Sequence, residues 1–221
     1  MNTHQRHQNK EQIYALIAQI MAAIANPKRL ELLDLLVQAP RNVEELASET
    51  GMSIANTSQH LQKLKHARMV LTQRHGTYIR YRLADPSIAH LWLQLRTVAE
   101  KQLVEVVRAI DAYRDQRYEF AGITANELMA RLETGDVILL DARPTAEYEA
   151  AHLPGAVSIP WNEIAQHQQE LPKDKLIVAY CRGPYCVYAD DALAVLAEAG
   201  WQVARLEEGV LEWQMAGYAL N

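Results

Sequence analysis

The chain has 221 residues, 49% of them hydrophobic, enough to bury a sizeable core in one or two domains. Its polar opening, MNTHQRHQNKEQ, lacks the apolar core of a secretory signal. The longest apolar-rich run, IYALIAQIMAAIA at 13–25, is too short to span a bilayer, so a soluble, cytoplasmic protein with no membrane partner is expected. Charge divides the chain, with 16 Lys and Arg against 12 Asp and Glu in residues 1–120, and 6 against 15 in residues 121–221. That asymmetry predicts two units with different partners.

The first element, EQIYALIAQIMAAIA, places Ile13, Leu16, Ile17, Ile20 and Ile24 on one helical stripe. After a break at Asn26-Pro27, PKRLELLDLLVQ predicts a second helix with Pro27 in its first turn. A short third helix runs from about Asn42 to a stop at Gly51. A fourth follows with Ser53 as N-cap and Ile54, Thr57, Leu61 and Leu64 as its buried stripe. Two strand-like runs, MVLTQRH and TYIRYRL, then meet at Gly76 as a hairpin.

This order of elements describes a winged helix-turn-helix. If the fourth helix buries that stripe, Ala55, Asn56, Gln59 and Lys63 face outward. Small and amide side chains near a helix N-terminus suit base edges in a major groove, and Lys and Arg neutralise phosphates. From Gly51 to Ala84 no residue is acidic, while Lys63, Lys65, Arg68, Arg74, Arg80 and Arg82 are basic. Arg74, His75, Tyr78 and Arg80 at the hairpin would meet the DNA backbone or minor groove. The competing reading is a protein-binding helical unit whose basic stripe is only a solvated face.

NPKRLELLDLL, VEELASETGMSIANTSQHLQKLKHARMV and GTYIRYRL together resemble the ArsR family of bacterial winged-helix repressors, over roughly residues 10–100. The resemblance implies a homodimer that releases operator DNA when an inducer binds. It also singles out Ser53, Ser58, His60 and Leu61 of an S-x4-S-x-H-L run. Metalloid sensors of that family carry a Cys-x-Cys pair in the third helix, where this chain reads VEELAS. Its zinc sensors use an Asp-x-His pattern in the last helix, where Asp85 precedes PSIAH. No cysteine lies in this half, so no metal site is expected, and His66 and His90 read as surface or core residues.

After Pro86 the sequence predicts one long helix to about residue 117, with Ile88, Trp92, Leu95, Ala99, Leu103, Val106, Ile110 and Tyr113 at gaps of three or four. Such a stripe is expected at a homodimer seam shared by the first helix and helix 86–117; burial against a second domain is the alternative. Residues 1–117 then form the DNA-binding and dimerisation domain, and 118–221 a second domain.

From Gly122 the pattern changes. A helix capped by Thr124 and Glu127 precedes a strand DVILLDAR, a helix TAEYEAAHL, a strand GAVSIP and a strand KLIVAY. A helix YADDALAVLAEAG, a strand WQVARL and a helix GVLEWQMAGY complete the chain. Short apolar strands alternating with helices predict a parallel α/β sheet with its site beyond the strand C-termini. Asp141 with Arg143, and Cys181 with Arg182, end two of those strands.

Both cysteines of the chain lie in LIVAYCRGPYC, five positions apart. With only His152 and His167 nearby they make no recognisable metal set. A structural disulfide is disfavoured in a reducing compartment, and a buried inert thiol is the plain alternative. Cys181, however, leaves its strand at a Gly-Pro turn leading into a helix. Converging backbone N–H groups, the helix dipole and Arg182 would favour its thiolate, with Cys186, one turn into the helix, as a packing residue. A phosphatase loop would need an arginine six residues after the nucleophile. That position is Val187, and Tyr180 rather than His precedes Cys181. Sulfur transfer needs only a low-pKa thiolate and donors that shelter a persulfide.

LLDARPTAEYEAAHLPGAVSIP, VAYCRGPYC and LEEGVLEWQMAGY resemble, in order and spacing, a single rhodanese domain over 122–221. The resemblance implies that Cys181 becomes persulfidated within a loop of Arg182, Gly183, Pro184, Tyr185 and Cys186. Cys186 also offers a latch, since its attack on that persulfide would give a di- or trisulfide that reshapes the loop. Asp141 and Arg143 would support that loop, with His152 and Trp213 structural. Many rhodaneses read C-R-x-G-x-R-S where this chain reads CRGPYCV, without the second Arg and the hydroxyl. Glutathione persulfide or polysulfide is therefore expected as donor in preference to thiosulfate. The whole chain reads as a winged-helix repressor of sulfide or sulfane-sulfur genes fused to a sulfurtransferase domain, needing no cofactor. The rivals are a sulfurtransferase whose helical half only dimerises or docks, and a repressor whose second domain is a passive pocket.

Overall fold

The computed structural model describes residues 3–115 and 120–221, with the side chains of Thr3, His4, His75 and Asp115 outside that description. The expected end of the long helix near Arg117, and the expected domain division after it, lie outside the described residues. The chain forms two compact units, Met1–Trp92 and Leu93–Asn221.

In the first unit the helices are α1 (Thr3–Ile24), α2 (Pro27–Gln38), α3 (Val43–Thr50) and α4 (Ile54–His66), followed by β1 (Val70–His75) and β2 (Tyr78–Leu83). Local chemistry sets their ends. Asn26 caps α2 with Pro27 at its first turn, Asn42 and Glu45 form a capping box on α3, and Gly51 ends α3 in the left-handed region at φ 63°. Arg29 of α2 is buried and donates to the carbonyls of Ala22 and Ala23, a cation placed on the last turn of α1. The buried residues are Leu32, Leu33, Leu36, Leu46, Leu61 and Leu64 of the helices, Met69 just before the hairpin, and Val70 and Tyr81 within it. Thr57, Leu61 and Leu64 are buried as the periodicity predicts, but Ile54, the first residue of α4, is 53% exposed. Among the described residues of α1 only Ile24 is buried; Ile13, Leu16, Ile17 and Ile20 are 57, 57, 54 and 40% exposed.

The helix expected over 86–117 is divided into α5 (Ser87–Gln102) and α6 (Val104–Asp115). Leu103 N–H still reaches the Ala99 carbonyl, whereas Val106 N–H tightens onto Leu103 itself. Lys101 in the last turn of α5 and Glu105 in the first turn of α6 suit the two helix ends that this creates.

The second unit adds β3 (Gly122–Ile123), α7 (Ala125–Thr134), β4 (Val137–Asp141), α8 (Thr145–Ala150), β5 (Val157–Ser158), α9 (Ile164–His167), β6 (Leu176–Tyr180), α10 (Tyr188–Glu198), β7 (Val203–Leu206) and α11 (Val210–Met215). β3 and α9 are too short to carry a periodic signal. The five strands form one parallel sheet in the order β3-β7-β6-β4-β5. β6 is central and buried on both faces: Ile177 and Ala179 enter one core with Leu193 and Leu196, and Val178 and Tyr180 enter the other with Leu128, Leu153 and Trp213. From β4 the chain crosses to one side and from β6 to the other, so the crevice of this sheet opens beyond Asp141 and Tyr180.

Candidate functional site

Among the described residues there are two candidate regions, one in each unit. On α4, Ala55, Asn56, Gln59 and Lys63 are exposed, and Ser53 caps the helix by accepting from Asn56 N–H at 3.3 Å. Ser58 and His60 are half-buried. Burial, reinforced by Arg29, Lys63 and Lys28, holds the His60 imidazole below its usual pKa. On the hairpin Arg74 and Tyr78 are exposed and Arg80 is half-buried, while Lys65 donates to Thr72 across the α4–β1 junction.

The second region is the turn after β6. Asp141 and Arg143, at the end of neighbouring β4, make a fully buried pair, with Arg143 Nε 3.0 Å from Oδ1 and Nη2 2.6 Å from Oδ2. Tyr180 donates its hydroxyl to Asp141 and accepts from Leu153 N–H at 3.2 Å, and Arg143 reaches the Ala151 carbonyl. Burial, followed by the Asp141 charge, pushes the Tyr180 phenol far above its usual range. This network fixes the residue immediately before Cys181. His152 stacks on Tyr148 and exchanges backbone hydrogen bonds with Asn221; Trp213 is buried and donates to the Ala219 carbonyl.

Three other residues shape the turn, none of them singled out by the sequence. Glu147 of α8, fully buried, accepts from Arg182 Nε at 3.0 Å on both oxygens. The Arg182 guanidinium also lies over the Tyr188 ring at 4.9 Å. Arg205 of β7 donates to the carbonyls of Gly183 (3.4 Å) and Cys186 (3.1 Å) and pairs with Asp190 at 3.4 Å. Burial lowers its pKa. Gly209 lies directly beneath the turn: a Cβ there would stand 2.5 Å from the Arg182 carbonyl and 2.6 Å from Gly183 N. Gly209→Ala is expected to displace the turn and cost about 1–3 kcal/mol. The check is the denaturation midpoint of the full chain; an unchanged midpoint would show that the turn yields freely.

The expectation for Cys186 needs correction. Cys186 is not inside a helix, since α10 starts at Tyr188; nor is it merely a packing residue, because Cys181 and Cys186 are disulfide-bonded. Their Cα atoms are 6.2 Å apart, within the reach of such a bond, and both residues are buried. A reducing compartment disfavours a structural staple, but not a bond formed by attack of Cys186 on a Cys181 persulfide. Arg182, expected to favour the Cys181 thiolate, has its charge offset by Glu147. Tyr185, between the cysteines, donates to Glu100 at 2.9 Å and lies under Arg96 at 5.0 Å, and Arg96 also pairs with Glu212. Among the described residues no three His, Cys, Asp or Glu side chains converge as a metal site.

Residues 26–72 match the family described as bacterial regulatory protein, arsR family, and residues 124–216 match the rhodanese-like domain. An HTH-type transcriptional regulator of Mycobacterium tuberculosis, Rv0324, is 44% identical over 206 residues, covering 93% of this chain and 90% of its own. The chain belongs to the HTH-type transcriptional regulators. This regulator is also 35% identical to a sulfurtransferase of Allochromatium vinosum over 97 residues, 43% of this chain and 89% of that protein. A homodimeric winged helix-turn-helix DNA-binding domain from Mycobacterium bovis is similar at 38% identity, with a TM-score of 0.41, over 42% of this chain and 87% of that one. The regulator therefore joins an ArsR-type helix-turn-helix to a rhodanese-like domain.

Proposed function

We propose that the protein is a homodimeric repressor of sulfide or sulfane-sulfur genes, and that its rhodanese-like domain accepts sulfane sulfur from a persulfide or polysulfide on Cys181. The observation that carries this reading is the turn after β6. It sets a cysteine at the C-terminal end of the central strand, where α/β sheets bind ligands, with a second cysteine in bonding reach. Sulfur acceptance suits that turn better than phosphoryl transfer. Arg182 and Arg205 are both engaged by carboxylates, and Val187 stands where a phosphate-clamping arginine is needed. That engagement also supports a thiol-borne donor over thiosulfate, whose two charges would meet guanidinium groups already offset by Glu147 and Asp190. For the regulator half, support comes from the acid-free exposed face of α4. The α1 stripe left in water is one that a second copy would cover.

A gel-shift of the chain on its own upstream DNA, with and without polysulfide, tests both halves together. Asn56→Ala and Gln59→Ala are each expected to cost about 1–3 kcal/mol of discrimination between operator and unrelated duplex. Lys63→Ala and Arg80→Ala should weaken every duplex alike and flatten the salt dependence. Operator preference surviving the Asn56 and Gln59 double substitution would remove α4 as the reading helix. Sulfur transfer without any operator binding would favour an enzyme whose helical half only dimerises.

A further inference from the structure

Cys186 is held towards Cys181 by bonds other than the disulfide. Its N–H closes a turn on the Gly183 carbonyl at 3.2 Å, and Arg205 gathers the carbonyls of Gly183 and Cys186. Asp190 anchors Arg205 from behind, and the chain at Gly209 leaves the turn no room to sink. The atom that Cys186 Sγ meets is Cys181 Sγ itself, which would be the inner sulfur of a persulfide. Among the described residues, a persulfide anion resting there would find the guanidinium groups around the turn engaged: Arg182 by Glu147, Arg205 by Asp190 and two carbonyls, and Arg96 by Glu100 and Glu212. The turn is thus built to bring the second thiol onto the first sulfur more than to store a charged one.

We infer that Cys186 is a resolving residue, so that the turn reduces sulfane sulfur to sulfide and closes as a disulfide. The inference rests on Cys181 as the sulfur acceptor. In the first step the Cys181 thiolate attacks the outer sulfur of a donor persulfide; the donor S–S bond breaks and a donor thiolate leaves with the electron pair. In the second step the Cys186 thiolate attacks Cys181 Sγ. The Cys181–Cys186 bond forms, the bond to the outer sulfur breaks, and hydrosulfide leaves with that pair. Two thiols have been oxidised and one sulfane sulfur reduced, so electrons balance without a further oxidant. Hydrosulfide is a weaker base than an alkyl thiolate and hence the better leaving group. An external dithiol then reduces the disulfide and resets the turn.

The test uses the full-length chain, reduced anaerobically, freed of reductant and mixed with one equivalent of glutathione persulfide. Sulfide is counted above the background given by Cys181→Ser, and intact mass is read without reductant. The wild type is expected to release about one sulfide per chain and to lose the mass of two hydrogens. Cys186→Ser and Cys186→Ala are both expected to stop at Cys181 carrying one extra sulfur, with sulfide release slowed roughly tenfold or more. A wild type that keeps the extra sulfur while Cys186 remains open to alkylation would overturn the inference and leave Cys181 as acceptor. A disulfide formed without sulfide would overturn it too. No adduct in either Cys186 variant and no sulfide from the wild type would overturn the acceptor reading and the resolving role together.

Discussion

Glu147→Gln is expected to destabilise the rhodanese-like domain by about 3–5 kcal/mol, the range for removing one partner of a buried ion pair. Glu147 is fully buried and Arg182 is 9% exposed, so the guanidinium cannot recover its hydration when the carboxylate goes. Both carboxylate oxygens accept from Arg182 Nε, and a neutral amide leaves one of those positions as an N–H facing a cation. The turn that carries Cys181 would then lose its link to α8. Replacing both residues by Leu should return much of the loss, because an apolar pair of similar volume needs no compensating charge. Denaturant unfolding of the full chain, followed by tryptophan fluorescence, reads both effects. A Glu147→Gln protein as stable as the wild type would mean that Arg182 finds other partners and that the turn does not depend on α8.

Cys181→Ser is expected to abolish sulfur acceptance, whereas Cys186→Ser should keep the first step. The reacting species is a thiolate, and a serine hydroxyl at neutral pH offers almost no alkoxide to replace it. Because residues 1–120 contain no cysteine, a sulfur signal reaching DNA must start at the turn. A persulfide or a disulfide is a small change. It needs to favour one of two existing arrangements by only about 1–3 kcal/mol to shift operator affinity several-fold to a hundred-fold. Equal loss of sulfur acceptance in Cys181→Ser and Cys186→Ser would assign the first step to the pair rather than to Cys181.

Most of the fold was legible because its signals are local. Caps at Asn42, Ser53 and Thr124 lie within three residues of the N–H groups they satisfy, and β6 declares itself by an unbroken apolar run. The fourth helix was read correctly at Thr57, Leu61 and Leu64 but not at Ile54, since periodicity gives a face and does not say how far along the helix that face stays buried. The division at Leu103 escaped because no Gly or Pro marks it. At the candidate site, Cys181 was visible as a cysteine at a strand end. Its surroundings were not: Glu147 meets Arg182 across 35 positions, and Arg205 meets Gly183 across 22. Arg205 reads in sequence as one polar residue of a short strand, and Gly209 as a helix boundary. Nothing local announces that each lies against the same turn.

The most direct test of a sulfur-responsive repressor is the affinity for labelled upstream duplex, measured by fluorescence anisotropy at fixed salt, before and after polysulfide. Wild-type and Cys181→Ser proteins are compared side by side. The expected result is a several-fold to hundred-fold loss of affinity in the wild type, reversed by dithiol, and none in Cys181→Ser. If Cys181→Ser releases the duplex as readily as the wild type, the two domains share a chain without sharing a signal.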